Sequence, residues 1–288
     1  MRIIIPATTA NLGPGFDSLG LALDRYLTVS IGEKIENWYV DHRMGYFIPH
    51  DQRNMLVQTA LKVNPNLTPH RLRVKSEIPI AHGLGSSSTA IVAGIVLANI
   101  LGEMHLSDDD ILQLAAQMEG HPDNVAPAIL GDLTVSAMDQ TKVATVKLTF
   151  PDVSLVAYIP KYNLATIEAR KVLPQNLTYS KAVLAGSIGN ALVAALALGD
   201  IKKAGQLMEQ DQYHEPYREK LVPHLTTLRQ IGHQIGAYAT YLSGAGPTVM
   251  TVLAQDKVKA FIEAGRKQGL TDDYQVLKVD RQGYQILK

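Results

Sequence analysis

The stretch Pro79 to Ala90, PIAHGLGSSSTA, constrains the fold of this 288-residue chain more than any other. It follows a segment with strand alternation, Leu72 and Val74, and runs into Thr89 to Leu101, which is apolar nearly all round and reads as a central, buried helix. Gly83 and Gly85 let the backbone turn tightly and bring its amides forward, and the first turn of the new helix adds unpaired N–H groups and the positive end of its dipole. Such a junction binds anions, phosphates above all. Ser86, Ser87 and Ser88 add hydroxyls for phosphate oxygens or for a magnesium ion carried by them. A capped turn serving only the fold is the plain alternative. The stretch lacks the Gly-Lys-Ser/Thr of a Walker A loop and the third glycine of a dinucleotide fingerprint, so the common nucleotide-binding folds are disfavoured.

Two more glycine-rich segments lie far away in the chain. Pro6 to Gly20, PATTANLGPGFDSLG, joins strands at Arg2 to Ile5 and Tyr26 to Ile35. Its Asn11 and Asp17 offer acceptors for a hydroxyl or an ammonium, or Asx turns for their own backbone. Ser243 to Val249, SGAGPTV, connects strands at Tyr238 to Leu242 and Thr248 to Leu253 and by itself reads as a hairpin turn. Asp51 is placed to cap a helix carrying Met55, Leu56, Ala60 and Leu61, and Ser107 caps another that ends near Glu119. Strands at Ala144 to Leu148 and Ser154 to Ile159 bracket Pro151, after which the chain is helix-rich to Ala237. A helix from Asp256 and a strand at Tyr274 to Val279 close the pattern. No internal repeat and no regular barrel beat is present, so the class is α+β with a domain boundary between 150 and 165.

Charge and cysteine content narrow the function. The 27 Lys and Arg cancel the 27 Asp and Glu, which leaves no net positive field for a nucleic acid or an anionic membrane and makes a small molecule the expected partner. With no cysteine, disulfides, thiolate metal sites and cysteine nucleophiles are excluded, and any metal must take oxygen or imidazole ligands. The apolar start, Ile3 to Ile5, is too short for a signal sequence, so a cytoplasmic location is expected. Ala182 to Gly199 carries no charge over the length of a membrane span, but Gly186, Ser187, Gly189 and Asn190 interrupt it. A close-packed buried helix with small residues facing a neighbour is the reading preferred for it.

Taken together, PATTANLGPGFDSLG, PIAHGLGSSSTA and SGAGPTV resemble, in the same order, the three signature motifs of the GHMP kinase superfamily. EGHPDNVAPA from Glu119, EARKVLP from Glu168 and HEPYREKLVP from His214 are similar to the homoserine kinases within it, and the resemblance covers nearly the whole chain. It implies an ATP-binding domain over 1–155, of the ribosomal-protein-S5-domain-2-like type with a left-handed βαβ unit, and a ferredoxin-like domain over 156–288. The activity it implies is phosphorylation of the side-chain hydroxyl of L-homoserine by ATP with Mg2+, in threonine biosynthesis, by a homodimer.

By the same resemblance the ATP cradle comprises Pro79, Ile80, Ala81, His82, Gly83, Leu84, Gly85, Ser86, Ser87, Ser88 and Thr89, with Ser87 and Glu119 as magnesium ligands. Asn54 and Val57, from DQRNMLV, and Lys75 match the adenine-contacting region. Asn11, Asp17, His121, Arg170 and Arg218 match the surroundings of the amino acid, Asn124 lies near the reacting hydroxyl and Thr166 near the transferring phosphate. The charge types suit a zwitterion: two arginines for the carboxylate and Asp17 for the ammonium or hydroxyl. An amide at 124 takes no proton, so the resemblance implies direct attack by the hydroxyl with the phosphate receiving the proton; Asp17 is the alternative base. His82, where many superfamily members have glycine or another small residue, has no physical account in this scheme. The rival readings are a kinase for another alcohol, such as mevalonate or shikimate, and a nucleotide-binding protein without catalysis.

Overall fold

The computed structural model describes residues 1–140 and 142–288. Strands β1 (Arg2–Ala10), β2 (Leu19–Lys34) and β3 (Tyr39–Asp41) precede helix α1 (Met55–Val63), and β4 (His70–Ser76) leads into α2 (Ser86–Leu101), α3 (Asp108–Glu119) and α4 (Val125–Leu130). Next come β5 (Leu133–Met138), β6 (Val143–Leu148) and β7 (Ser154–Ile159), then α5 (Thr166–Lys171), α6 (Tyr179–Ala197), α7 (Ile201–Met208), α8 (Glu215–Arg218) and α9 (His224–Ile235). The chain finishes with β8 (Ala239–Leu242), β9 (Val249–Leu253), α10 (Val258–Lys267), β10 (Asp273–Leu277) and β11 (Gln285–Leu287).

One sheet runs β11-β1-β2-β4-β3, with β5 on β2 and β6 on β5; the other runs β10-β7-β9-β8. On the edge away from β1, the long β2 serves two partners in turn. Its start pairs with β5 at Leu19↔Val135, and its end pairs with β4 at Leu27↔Ser76. Strands β3 and β4 pair in parallel and are joined through α1, which makes them the βαβ unit of the N-terminal half. The chargeless α2 is buried from Ser88 to Ala98 except at Ala90, which lines a cavity, as its nearly all-round apolar pattern requires. Helix α3 begins with the expected Ser107, in a capping box with Asp110. Helix α1 is capped by Asn54 and not by Asp51, whose carboxylate is held by the neighbouring Arg53.

Two expectations are corrected. The division at 155/156 assigns the whole C-terminal stretch to the second domain, yet the tail returns to the first. Leu23 bridges Val279, β11 pairs with β1, and Arg281 donates to Asp132 at 2.7 Å. One hydrophobic core also joins the halves, since Ile3, Val29 and Ile95 share a cluster with Leu155, Leu192 and Tyr241. Helix α6, read as buried, is only half so. Ala185, Ile188, Leu192 and Leu196 face inward, but Val183, Leu184 and Leu198 are 55%, 51% and 85% exposed. It is long and apolar enough to cross a membrane by length and composition alone, while its inner face and its contact with α7 make it part of the packed fold.

Candidate active site

The three glycine-rich segments meet. Gly83 and Gly85 both adopt left-handed backbone angles, with φ of +75° and +73°. A Cβ on Gly85 would lie 2.0 Å from Thr8 Oγ1, and one on Gly83 would lie 2.3 Å from Ser243 O. Only a glycine lets the phosphate loop nest this closely between the first segment and the third. Hydrogen bonds hold it there: Ser243 Oγ donates to Gly83 O at 2.6 Å, Thr8 N to Leu84 O at 3.3 Å and Gly244 N to Ala10 O at 3.1 Å. Gly85 is the N-cap of α2 and contributes no side-chain cap, so the first amides of the helix face an open cavity.

That cavity has a volume of about 460 Å³. Its walls change chemistry along their length. Leu27, Met44, Phe47, Ile48, Pro49 and Met55 give an apolar end, the loop from Ile80 to Ser88 gives a middle rich in amides and hydroxyls, and Asp17, His121, Asp123, Arg170 and Arg218 give a charged end. An apolar slot beside an anion cradle beside paired charges is a shape for a nucleotide and a small zwitterion.

Each group at the charged end is held by its neighbours. Asn11, with φ +74°, donates from Nδ2 to Gly244 O at 3.1 Å and accepts the amide of Asp17 at 3.1 Å, so its side chain fixes the loop that presents Asp17. Asp17, itself at φ +55°, binds Arg170 with both oxygens, at 2.6 and 3.1 Å. Arg218 is 2% exposed. Its Nε donates to Ala169 O at 3.0 Å and its Nη1 to Gly244 O at 3.0 Å and to His214 Nδ1 at 3.1 Å. Burial and the charge of Arg170 push the Arg218 pKa down to about 10. Since His214 Nδ1 accepts from Arg218, its proton is on Nε2, which donates to Gly13 O at 3.0 Å, and burial keeps this ring neutral by lowering its pKa. The ring of Phe16 lies under both guanidinium groups, at 5.4 and 5.5 Å, and stacks on His214.

Beside Asp17, with ligand atoms of all three within 4.8 Å of one another, His121 Nδ1 lies 2.6 Å from the buried carboxylate of Asp123. Burial works against a charge on this ring, but the hydrogen bond and charge of Asp123, with Asp17 and Glu119 beyond, raise its pKa above the ordinary value. Asn124 accepts from Thr8 Oγ1 at 2.7 Å and donates to Asp123 at 3.3 Å. Glu119 accepts from Ser88 Oγ at 2.9 Å, and its burial pushes its carboxyl up. Thr166 is the first residue of α5; it makes no cap and lines the cavity.

Most of the expected residues are therefore gathered here: Asn11, Asp17, Asn54, Ile80 to Gly83, Gly85 to Ser88, Glu119, His121, Asn124, Thr166, Arg170 and Arg218 all line the cavity. Five do not. Val57 is wholly buried on the inner face of α1, Lys75 is on the exposed face of β4, and Pro79, Leu84 and Thr89 lie outside the cavity wall. Asn54 borders the cavity but spends its amide on Leu56 N and Pro49 O. The hydroxyl on Glu119 is that of Ser88; Ser87 is exposed at the rim, 3.7 Å from Met55 Sδ. Sequence reasoning missed Asp123, whose signal was its place between His121 and Asn124, and Phe16, an aromatic inside an otherwise small and polar loop. It also missed the apolar wall from Met44 to Pro49, which has no periodicity to betray it.

The description "GHMP kinases N terminal domain" fits residues 54–132, and "GHMP kinases C terminal" fits residues 192–270. A homoserine kinase of Streptococcus pneumoniae is 49% identical over 286 residues, 99% of each chain. Among solved structures, one described as a homoserine kinase from Listeria monocytogenes is 44% identical with a TM-score of 0.90, covering 100% of this chain and 99% of that one. The homoserine kinase of Cytophaga hutchinsonii is 26% identical with a TM-score of 0.86, covering 100% and 97%.

Proposed function

Because this chain belongs to the homoserine kinases of the GHMP kinase superfamily, it transfers a phosphoryl group from ATP to the side-chain hydroxyl of L-homoserine in threonine biosynthesis, and we infer that both substrates share the one cavity. The observation that carries this reading is the line of apolar slot, amide-rich helix start and charged end within a single pocket. ATP lies with its base among Leu27, Met44 and Ile48 and its phosphates on the amides of Gly85 to Ser88. Homoserine lies at the charged end. Arg218, immobilised through Nε and Nη1, and Arg170 take its carboxylate. Asp123, a buried carboxylate facing the cavity, takes its ammonium together with Asp17.

Mg2+ fits this chain's donors, since Glu119 is a partly buried carboxylate that accepts a hydrogen bond from a serine hydroxyl beside the helix start, all hard oxygen. Glu119, with Ser87 and Ser88 at hand, would hold it, and the ion would neutralise charge on the phosphate oxygens. The proton of the attacking hydroxyl has no ready base among the described residues. Asp17 has both oxygens on Arg170, His121 is biased toward its charged form by Asp123, and Asn124 is an amide. This supports direct attack by the hydroxyl, aligned by Asn124 and Thr166, with the phosphoryl oxygens receiving the proton. The half-exposed apolar face of α6 supports a homodimer, and a cytoplasmic location goes with this metabolism.

ADP release from magnesium and ATP with L-homoserine, L-serine, mevalonate and shikimate tests the assignment. Acceptors without the ammonium lose about 1.5–3 kcal/mol, or roughly 10- to 100-fold in kcat/KM. Equal use of mevalonate would sink the roles given to Asp123 and Asp17.

A further inference from the structure

His82 lines the cavity on the phosphate loop, and its ring is bonded to backbone carbonyls at both nitrogens. Nδ1 lies 2.6 Å from Ile80 O, within the loop, and Nε2 lies 3.0 Å from Pro160 O, just past β7 where the chain enters its helix-rich half. A carbonyl oxygen only accepts, so each ring nitrogen must supply a hydrogen, and the neutral imidazole has one. Both bonds are made together by the imidazolium alone. The two backbones are joined on either side of the ring as well, by Leu164 N to Ala81 O and Thr248 N to His82 O, each 3.3 Å. Thr166 and Arg170, which also line the cavity, follow closely on this segment.

We propose that His82 is a positioning residue for phosphoryl transfer: as a doubly donating imidazolium it struts the phosphate loop against Pro160 and so sets the loop's distance from Thr166 and Arg170. The proposal rests on the reading of the cavity as the ATP and homoserine site. In-line transfer depends on a fixed separation of donor and acceptor, yet the loop contains two left-handed glycines and depends on its bonds for shape. The two ring bonds hold the loop that receives the phosphates, so nucleotide binding and loop rigidity reinforce each other. The titratable groups on the elements packed against it are engaged elsewhere. Lys161 pairs with Asp272 at 3.6 Å, Tyr162 donates to Leu221 O at 2.8 Å, Glu77 accepts from Tyr26 N at 3.0 Å, and the turn at 243–248 carries none.

The parent protein, H82A and H82R are compared by steady-state kinetics, by calorimetry with ADP and by thermal melting. With melting unchanged, H82A raises the KM for ATP and the Kd for ADP about tenfold, the loss of one charge-assisted hydrogen bond. H82R, which donates at every pH, recovers most of that. Unchanged nucleotide constants in H82A, or equal damage in H82R, would each overturn the strut. ADP binding needs no turnover, so the test stands apart from the acceptor assignment, whose own failure is the absence of homoserine-dependent ADP release by the parent.

Discussion

Replacing Arg218 with alanine separates two jobs that one side chain performs. The guanidinium donates to three buried acceptors, Ala169 O, Gly244 O and His214 Nδ1, at 3.0 to 3.1 Å; without it Gly244 O keeps its bond from Asn11 Nδ2, while Ala169 O and His214 Nδ1 lose their donor. Each acceptor left without a donor costs about 1–3 kcal/mol, so the two together cost about 2–6 kcal/mol, before counting the space left beside Phe16. For a chain of this size that lowers the melting temperature by about 5 °C or more. The homoserine KM rises about 10- to 100-fold as the carboxylate loses a charged partner. Arg170 is the control. It is partly exposed and paired only with Asp17, so its alanine variant loses binding by a similar factor while its melting temperature moves little. Calorimetric melting alongside homoserine titrations reads both effects. An Arg218→Ala protein that melts within about 2 °C of the parent refutes the account of its buried bonds.

Glu119→Gln leaves an acceptor for Ser88 but removes the charge, so magnesium-dependent turnover falls at least about a hundredfold while the fold is kept; an undiminished rate removes Glu119 from the metal site. His214 has a folded pKa below its unfolded value through burial, so its contribution to stability is complete above about pH 6.5 and is lost as pH falls toward the folded value. His224, also buried and lowered, acts in the same sense. Melting temperature therefore drops on acidification below pH 6.5, and a His214→Gln variant shows a shallower drop; an identical slope would acquit His214.

The phosphate loop was legible because its chemistry is local: a strand, two glycines and a helix start are consecutive, and their amides point where any such turn points them. The walls of the site were less so. Asp123 and Arg218 gain their meaning from burial, which depends on Phe16 and Gly244 arriving from distant segments, and the resemblance to a family brought Arg218 forward where the residue alone would have read as surface charge. Lys75 was misplaced although β4 alternates plainly, with Val74 inward and Lys75 outward. Val57 and Met55 show the same difficulty on α1, where the face toward the core took Val57 and the cavity took Met55. For α6, composition reports apolarity without reporting what covers it, so a helix half open to solvent reads like a buried one. The return of the tail was invisible because β11 spans only Gln285–Leu287, too short for any periodic signal.

That return has a bearing on how the chain is made. Arg2 stands opposite Leu287, so β1 waits for β11, made after every other strand described, before it has both neighbours. The edge of β1, and the Asp132 carboxylate that Arg281 will later hold, stay open until then. The first half can collapse early around α2, but it is finished only when β1 and β11 lie side by side in one sheet. Their nearness also means that a short linker could join them and new ends be cut at an exposed loop, giving the same enzyme in a different order of translation.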